Sequence, residues 1–317
     1  MSAPLLEARG LTRHFRQHGS APLKAVDDVS FRIEEGSTLG IVGESGSGKS
    51  TLARLVMALD RPSAGAVFFA GENLFAQTAR RLASLRRGFQ MVFQDPYGSL
   101  DPRQRVARIV AEPLHLDPAA PRGAARRARV GEVLTQVGLT AADGGRLPHQ
   151  FSGGQRQRIA IARALVSRPR LVVADEAVSA LDLSVQAQVL NLLLDLRDRH
   201  GLAYLFISHN LAVVEVLADR IAVMYRGRFV EMGPADAIFR GPLHPYTRLL
   251  LEALPRIDAP HIRGRSRLGA EGIAGWTNAC AFAPRCPHAT MACRTQAPAM
   301  LAVDEGHEVM CHYAGEI

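Results

Sequence analysis

Short apolar runs alternate along the chain with longer stretches whose apolar residues recur every three or four positions. Compact runs bounded by polar or turn residues predict buried strands. "STLGIVG" (37–43), "LVVAD" (171–175), "AYLFIS" (203–208) and "RIAVMY" (220–225) fit that description. Helical patterns separate the last three. In "LSVQAQVLNLLLDLRDRHG", Val185, Val189, Leu192 and Leu196 recur at i, i+4, i+7 and i+11, which predicts one apolar face, and Gly201 is placed to end the helix as a C-cap. Strand and helix exchanging in this way predict an α/β fold with a largely parallel sheet. Between Leu100 and Pro148 no convincing strand occurs, so this region reads as a helical insertion. The texture changes after Pro242. "LHPYTRLLLEALP" predicts one short helix, followed by an irregular basic linker and a cysteine-bearing stretch, "ACAFAPRCPHATMACRT".

Composition changes this picture little. Hydrophobic residues make up 47% of the 317, enough for a real core. The net charge of +8 is compatible with nucleic acid, a membrane surface or no specific partner. In the densest basic run, "PRGAARRARVGEVL" from Pro121, the arginines fall among alanines at helical spacing, with no aromatic residues for base stacking. That predicts a solvated helix face, and no nucleic-acid partner is expected. No uninterrupted apolar window of about 18 residues exists, so no membrane-spanning helix is expected. The opening "MSAPLLEARG" lacks the basic start and apolar stretch of a secretion signal. The expected location is the cytosol, or the inner face of a membrane through another protein.

The strongest chemical signal is "GESGSGKST", which directly follows the strand "STLGIV" and precedes the helical "STLARLVMAL". It matches G-x-x-x-x-G-K-[ST] at Gly43, Gly48, Lys49 and Ser50. Glycines let such a loop turn its N–H groups inward on phosphate oxygens, and the following helix N-terminus adds partial positive charge. The loop residues Gly43, Glu44, Ser45, Gly46, Ser47 and Gly48 are candidates for nucleotide contact. Lys49 would reach the β- and γ-phosphates, Ser50 would ligate Mg²⁺, and Thr51 would add a hydrogen bond to a phosphate. Far downstream, "LVVADE" ends an apolar strand in two carboxylates. Asp175 can hold Mg²⁺, usually through water, and Glu176 can polarise an attacking water.

Three further stretches, "FSGGQRQRIAIARAL" from Phe151, "SALD" (179–182) and "ISHN" ending the next strand, join "VFQD" (92–95). Together with the phosphate loop they resemble the motif set of ABC-type ATPases, in order and spacing, over about residues 5 to 235. The resemblance implies a nucleotide-binding domain with a RecA-like mixed sheet core, an antiparallel β subdomain and a helical subdomain. It implies that Gln94 touches Mg²⁺ and the attacking water, and that His209 contacts the γ-phosphate. It further implies that Ser152, Gly153, Gly154 and Gln155 form the signature motif and that Asp182 lies in the D-loop. A serine and two glycines opening a helix make a second anion cradle, and one phosphate chain does not need two from one chain. In the family two such domains pack head to tail, each signature motif closing on the ATP held by its partner. Phe15 sits where the family places an aromatic against adenine; a core phenylalanine is the alternative reading. Two positions depart from the family pattern: Ala177 follows the glutamate in place of the usual proline, and Asn210 follows the histidine in place of aspartate. Neither removes a catalytic group.

The chain continues for about 80 residues beyond these motifs. "MVFQDPYGSLDPR", "ADEAVSALDLSVQAQVLNLL", "HPYTRLLLEALP" and the terminal cysteines resemble the ATPase subunits of oligopeptide and dipeptide importers, and more the second (F-type) component than the first. That group also serves nickel and glutathione. The resemblance implies a heterodimer with a related ATPase, two membrane permeases, an extracytoplasmic binding protein, and a peripheral place on the cytoplasmic face. The expected division is 1–240 for the ATPase, with the helical insertion at about 100–165, and 241–317 for the extension. Non-transport ABC ATPases acting on nucleic acid or ribosomes are the alternative; a single phosphate loop and no heptad run count against them. All four cysteines lie in the tail: Cys280, Cys286, Cys293 and Cys311. A reducing compartment disfavours disulfides. The spacing lacks paired C-x2-C knuckles, and four thiolates suit a [4Fe–4S] cluster, which certain members of the group carry in this tail. Zinc with help from His288, His307 or His312, or unliganded thiols in a small core, remain open.

Overall fold

The computed structural model describes residues 3–17, 20–95, 97–117, 119–254, 279–304 and 306–316. The basic linker expected after the short helix lies outside them. The chain opens with two long antiparallel strands, β1 (Leu6–Gln17) and β2 (Ser20–Ile33), then enters the first parallel strand, β3 (Thr38–Val42). The helix α1 (Lys49–Val56) follows. β4 (Ala64–Phe69) and β5 (Glu72–Asn73) return to the first pair and complete a four-stranded antiparallel sheet, ordered β2-β1-β4-β5. After α2 (Ala79–Leu85) the chain enters the larger sheet as β6 (Phe89–Val92).

A helical segment then intervenes, with α3 (Val106–Val110), α4 (Gly123–Gln136) and α5 (Gly153–Leu165) joined by short 3₁₀ turns. Among the described residues it contains no strand, as its sequence predicts. The arginine-rich run forms α4, which buries Val130, Val133 and Leu134. β7 (Leu171–Asp175), α6 (Leu183–His200), β8 (Ala203–Ser208), α7 (Leu211–Leu217) and β9 (Arg220–Tyr225) follow as alternating strand and helix. β6, β7, β8, β3 and β9 pair in parallel, and β10 (Arg228–Pro234) turns back antiparallel to β9. Both faces of the parallel strands are covered, which is why they read as unbroken apolar runs. Val172, Ala174, Tyr204 and Phe206 pack with the helical side. Their neighbours Leu171, Val173, Leu205 and Ile207 pack toward α1 and the antiparallel sheet.

The buried stripe of α6 differs from the expected one. It consists of Val189, Leu190, Leu193 and Leu196, while Val185 and Leu192 are only partly covered. The helix is wedged against both α5 and α7, so the covered face is rotated and wider than a single i, i+4 line. Gly201 ends it in the left-handed region at φ 61°, as expected.

The tail continues through α8 (Ala235–Arg240), α9 (Pro245–Glu252), α10 (Met291–Thr295), β11 (Leu301–Asp304) and β12 (His307–Val309). α9 realises the predicted short helix. The rest is less irregular than its sequence suggests, because β12 pairs antiparallel with β10, and β11 with β12, extending the main sheet. These strands borrow an existing ladder and need little core of their own. Tyr246 on α9 and Phe282 are both 1% exposed and pack against Tyr225 at the end of β9, with ring centroids 4.7 and 5.4 Å away. The fully buried Glu231 of β10 ties the tail further: its carboxylate accepts the N–H groups of Leu243 and His244 at 2.7 and 3.0 Å and lies 2.9 Å from His307 Nε2. Three partners around one buried carboxylate meet the requirement that such a group be fully hydrogen-bonded.

Candidate active site

The loop Gly43–Gly48 leaves the carboxyl end of β3 and runs into α1. It closes tightly because glycine occupies the crowded positions. At Gly48, φ is 109° and a Cβ would stand 2.1 Å from the carbonyl oxygen of Ala25, a conformation and a space that only glycine accepts. The Lys49 ammonium is folded under the loop, donating to the carbonyls of Gly43 at 2.7 Å and Glu44 at 2.9 Å. Its burial depresses its pKa, against the pull of Glu176, Asp175 and Glu44. An anion seated on the loop would restore the balance.

Ser50 donates to Asp175 Oδ1 at 3.1 Å, which brings the last residue of β7 to the first turn of α1. Burial raises the pKa of that carboxyl. A hydroxyl and a carboxylate oxygen converging beside a phosphate loop are the hard oxygen donors that Mg²⁺ takes, so these residues fit that ion. The neighbouring Glu176 adopts φ 48°, left-handed for a non-glycine residue, with its N–H held by Ile207 O at 2.9 Å. Backbone strain of this kind collects at working sites. Gln94 Nε2 donates to Glu176 Oε2 at 2.8 Å, and His209 Nδ1 lies 3.3 Å from the same oxygen. Two groups far apart in the chain thus meet at one carboxylate. Of the two departures in sequence, Ala177 is buried, and Asn210 caps α7 by accepting the N–H of Ala212 at 3.0 Å.

A cleft of about 1060 Å³ opens over these groups, lined by Glu44 through Thr51, Gln94 and Glu176. That is ample for a nucleotide, since ligand sites commonly span ~300–1,000 Å³. Phe15, 37% exposed, lines it too, with the Arg13 guanidinium 4.7 Å from its ring centroid. Ser152, Gly153, Gly154, Gln155 and Asp182 do not line it. They form separate helix starts. Ser152 caps α5 in a reciprocal pair of bonds with Gln155, and Gly154 packs so closely on Val185 of α6 that a Cβ would clash at 2.3 Å. Asp182 stands at the start of α6 without a capping bond of its own.

The cleft has a wall that sequence reasoning missed. Tyr225, Arg226, Ala281, Arg285 and Arg294 line it, the last three from the tail. Nothing in the spacing of these residues points to the phosphate loop, because Arg285 meets it across 241 positions of chain.

The four cysteines line one smaller cavity together with His244, His288 and His312. Burial raises the pKa values of Cys280, Cys286 and Cys311. Among the described residues no three Cys, His, Asp or Glu side chains are grouped to hold a metal ion. The expected cluster and the zinc alternative therefore both lack geometric support, although a four-thiol donor set suits a cluster in kind.

The family model described as ABC transporter matches residues 26–179, and that described as oligopeptide/dipeptide transporter, C-terminal region, matches residues 230–293. The chain is 47% identical to the di/tripeptide transport ATP-binding protein DppF of Pseudomonas aeruginosa, over 98% of each chain. It is 45% identical to the dipeptide transport ATP-binding protein DppF of Haemophilus influenzae, over 98% of this chain and 97% of that one. Among solved structures, the dimeric post-hydrolysis state of the ATP-binding cassette MJ0796 bound to ADP and Pi superposes with a TM-score of 0.66 at 29% identity, covering 73% of this chain and 98% of that one. The fold is shared also with cbiO1 from Clostridium perfringens, at a TM-score of 0.66 and 24% identity, over 76% of this chain and 92% of that one.

Replacing Glu176 by glutamine keeps the shape and an acceptor for Gln94 but removes the negative charge. ATP turnover should fall by about 10²–10⁴-fold, as for loss of a general base, with Mg-ATP affinity within a few fold of wild type. Parallel steady-state and equilibrium-binding measurements check this; near-normal turnover would remove Glu176 from water activation.

Proposed function

This chain belongs to the ATP-binding subunits of oligopeptide and dipeptide ABC importers, and from that membership we propose how its residues divide the work. It is an ATPase. Lys49 and the N–H groups of the loop hold the phosphates, and Ser50 and Asp175 hold Mg²⁺, which when bound offsets charge on the phosphate oxygens. Glu176 draws a proton from the attacking water, and Gln94 and His209 keep its carboxylate aimed. Phe15, on the wall of the cleft, stacks a ring face on adenine.

One observation carries the assembly: the second anion cradle, at Ser152–Gln155, stands apart from the cleft that holds the first. Two ATPase subunits facing head to tail bring the cradle of each to the phosphates of the other, with Asp182 at the junction. The partner is a related ATPase subunit. ATP then joins the pair, and hydrolysis releases it. Two membrane permeases dock along the region from Gln94 through α3–α5, where Phe93 and Tyr97 stand 41% and 61% exposed. Closure on ATP re-orients the permeases. Among the described residues no helix is long and apolar enough to cross a membrane; membership in the importer ATPases supports a peripheral place on the cytoplasmic face. An extracytoplasmic binding protein delivers the cargo, which is a short peptide or a related small solute. The division at 240/241 separates ATPase from extension in sequence, and the four thiols of the extension take a [4Fe–4S] cluster that staples it. The four-thiol donor set, of the kind such clusters take, supports this.

Uptake of a labelled dipeptide by cells carrying the whole importer tests the transport reading. Lys49→Ala in this subunit should reduce uptake to background; uptake at the wild-type rate would contradict it. Anaerobic purification followed by iron and sulfide analysis tests the cluster: about four of each per chain is expected, and a colourless, iron-free protein would defeat it.

A further inference from the structure

Glu44, the second residue of the phosphate loop, is held on three sides. Its N–H donates to the Tyr246 hydroxyl at 2.9 Å, and its carbonyl accepts from Lys49. Its carboxylate takes both terminal nitrogens of Arg285, at 2.7 and 2.8 Å. Two of the three holders belong to the tail. Paired, parallel bonds between guanidinium and carboxylate fix direction as well as distance. The Arg285 bonds hold the Glu44 carboxyl below its ordinary range, outweighing the opposite effect of burial.

Arg285 itself has little freedom. It sits in a run of tight turns, in which Ala283 N–H donates to Cys280 O at 3.0 Å, Arg285 N–H to Phe282 O at 2.9 Å, and Cys286 N–H to Ala283 O at 3.3 Å. The buried Phe282 ring anchors that run on Tyr225 and Tyr246, and the guanidinium lies 5.7 Å from the Phe282 centroid. The same segment forms one wall of the nucleotide cleft. An extension needed only to cover the edge at β10 has β12 and β11 for that purpose. This one also grips the loop that receives the phosphates.

We propose that Arg285 is a positioning residue for the nucleotide: through Glu44 it sets the phosphate loop, so that the four-thiol tail and bound ATP are energetically linked. The proposal rests on the ATP-binding reading of the loop and extends it to regulation. Whatever loosens the Cys280–Cys286 turns slackens the loop and weakens ATP. By reciprocity, bound ATP steadies those turns.

The test uses the full chain with Mg-ATP. Arg285→Met keeps an apolar stem beside Phe282 and Tyr225 but lacks the charge, and Arg285→Lys restores a charge without the fork. The Kd and KM for ATP should rise about tenfold in Arg285→Met, within the range usual for coupled sites, with kcat changed far less. Arg285→Lys should recover part of the loss. Mg-ATP should slow backbone amide hydrogen exchange across residues 280–286 in the wild type and do so much less in Arg285→Met, as read by peptide mass spectrometry. Unchanged ATP affinity in Arg285→Met, or amide exchange across 280–286 indifferent to Mg-ATP in the wild type, would overturn the link. A wild-type chain that fails to bind ATP at all would instead defeat the ATPase reading on which it rests.

Discussion

Parallel pairing in register dictates where the chemistry of this chain sits. Val42 of β3 stands beside Ser208 of β8, Asp175 of β7 beside Ile207, and Val92 of β6 beside Ala174. Four strands therefore end at one edge, and within two residues of each end stand the phosphate loop, Glu176, His209 and Gln94. In an open α/β sheet the crevice beyond the carboxyl ends of the strands is where ligands bind. A slip of one residue in any of these pairings would turn side chains to the opposite face and scatter the group that meets at Glu176. Burial on both faces specifies the register strongly, which is why the hydrophobic core and the active site cannot be separated in this fold.

The antiparallel side of the same sheet solves a different problem. β10 turns back from β9 and offers an open edge, and the tail fills it with β12 and β11. Glu231 fastens the start of the tail to its end, and Tyr225, Tyr246 and Phe282 fasten its middle to the tip of β9. The result is a seam. Residues from the first fifty and the last forty or so meet over the nucleotide cleft, and the tail serves as part of its wall.

The strands legible in sequence are those buried on both faces, such as "AYLFIS" at β8, because nothing polar interrupts them. β1 and β2 carry charged and polar residues throughout, as in "LEARGLTRHFRQ", and were expected only through the family resemblance. β11 and β12 are too short to leave a pattern and exist by pairing with β10. The phosphate loop could be read directly, since a loop that wraps an anion fixes its own glycines and lysine locally. The resemblance singled out Gln94 and His209 but not their meeting at Glu176, and the grip of Arg285 on Glu44 came from neither source. That bond depends on how a distant segment folds back, and no local rule in either stretch announces it.

The central claim is that one chain holds only half of each working site, with the cradle at Ser152–Gln155 standing outside the cleft of its own phosphate loop. Turnover per subunit, measured from dilute monomer upward while mass is followed by analytical ultracentrifugation, tests this directly. The account predicts negligible hydrolysis by the monomer and a steep rise as ATP-bound dimers form with itself or its partner ATPase. Constant turnover per subunit in a solution shown to be monomeric would contradict it.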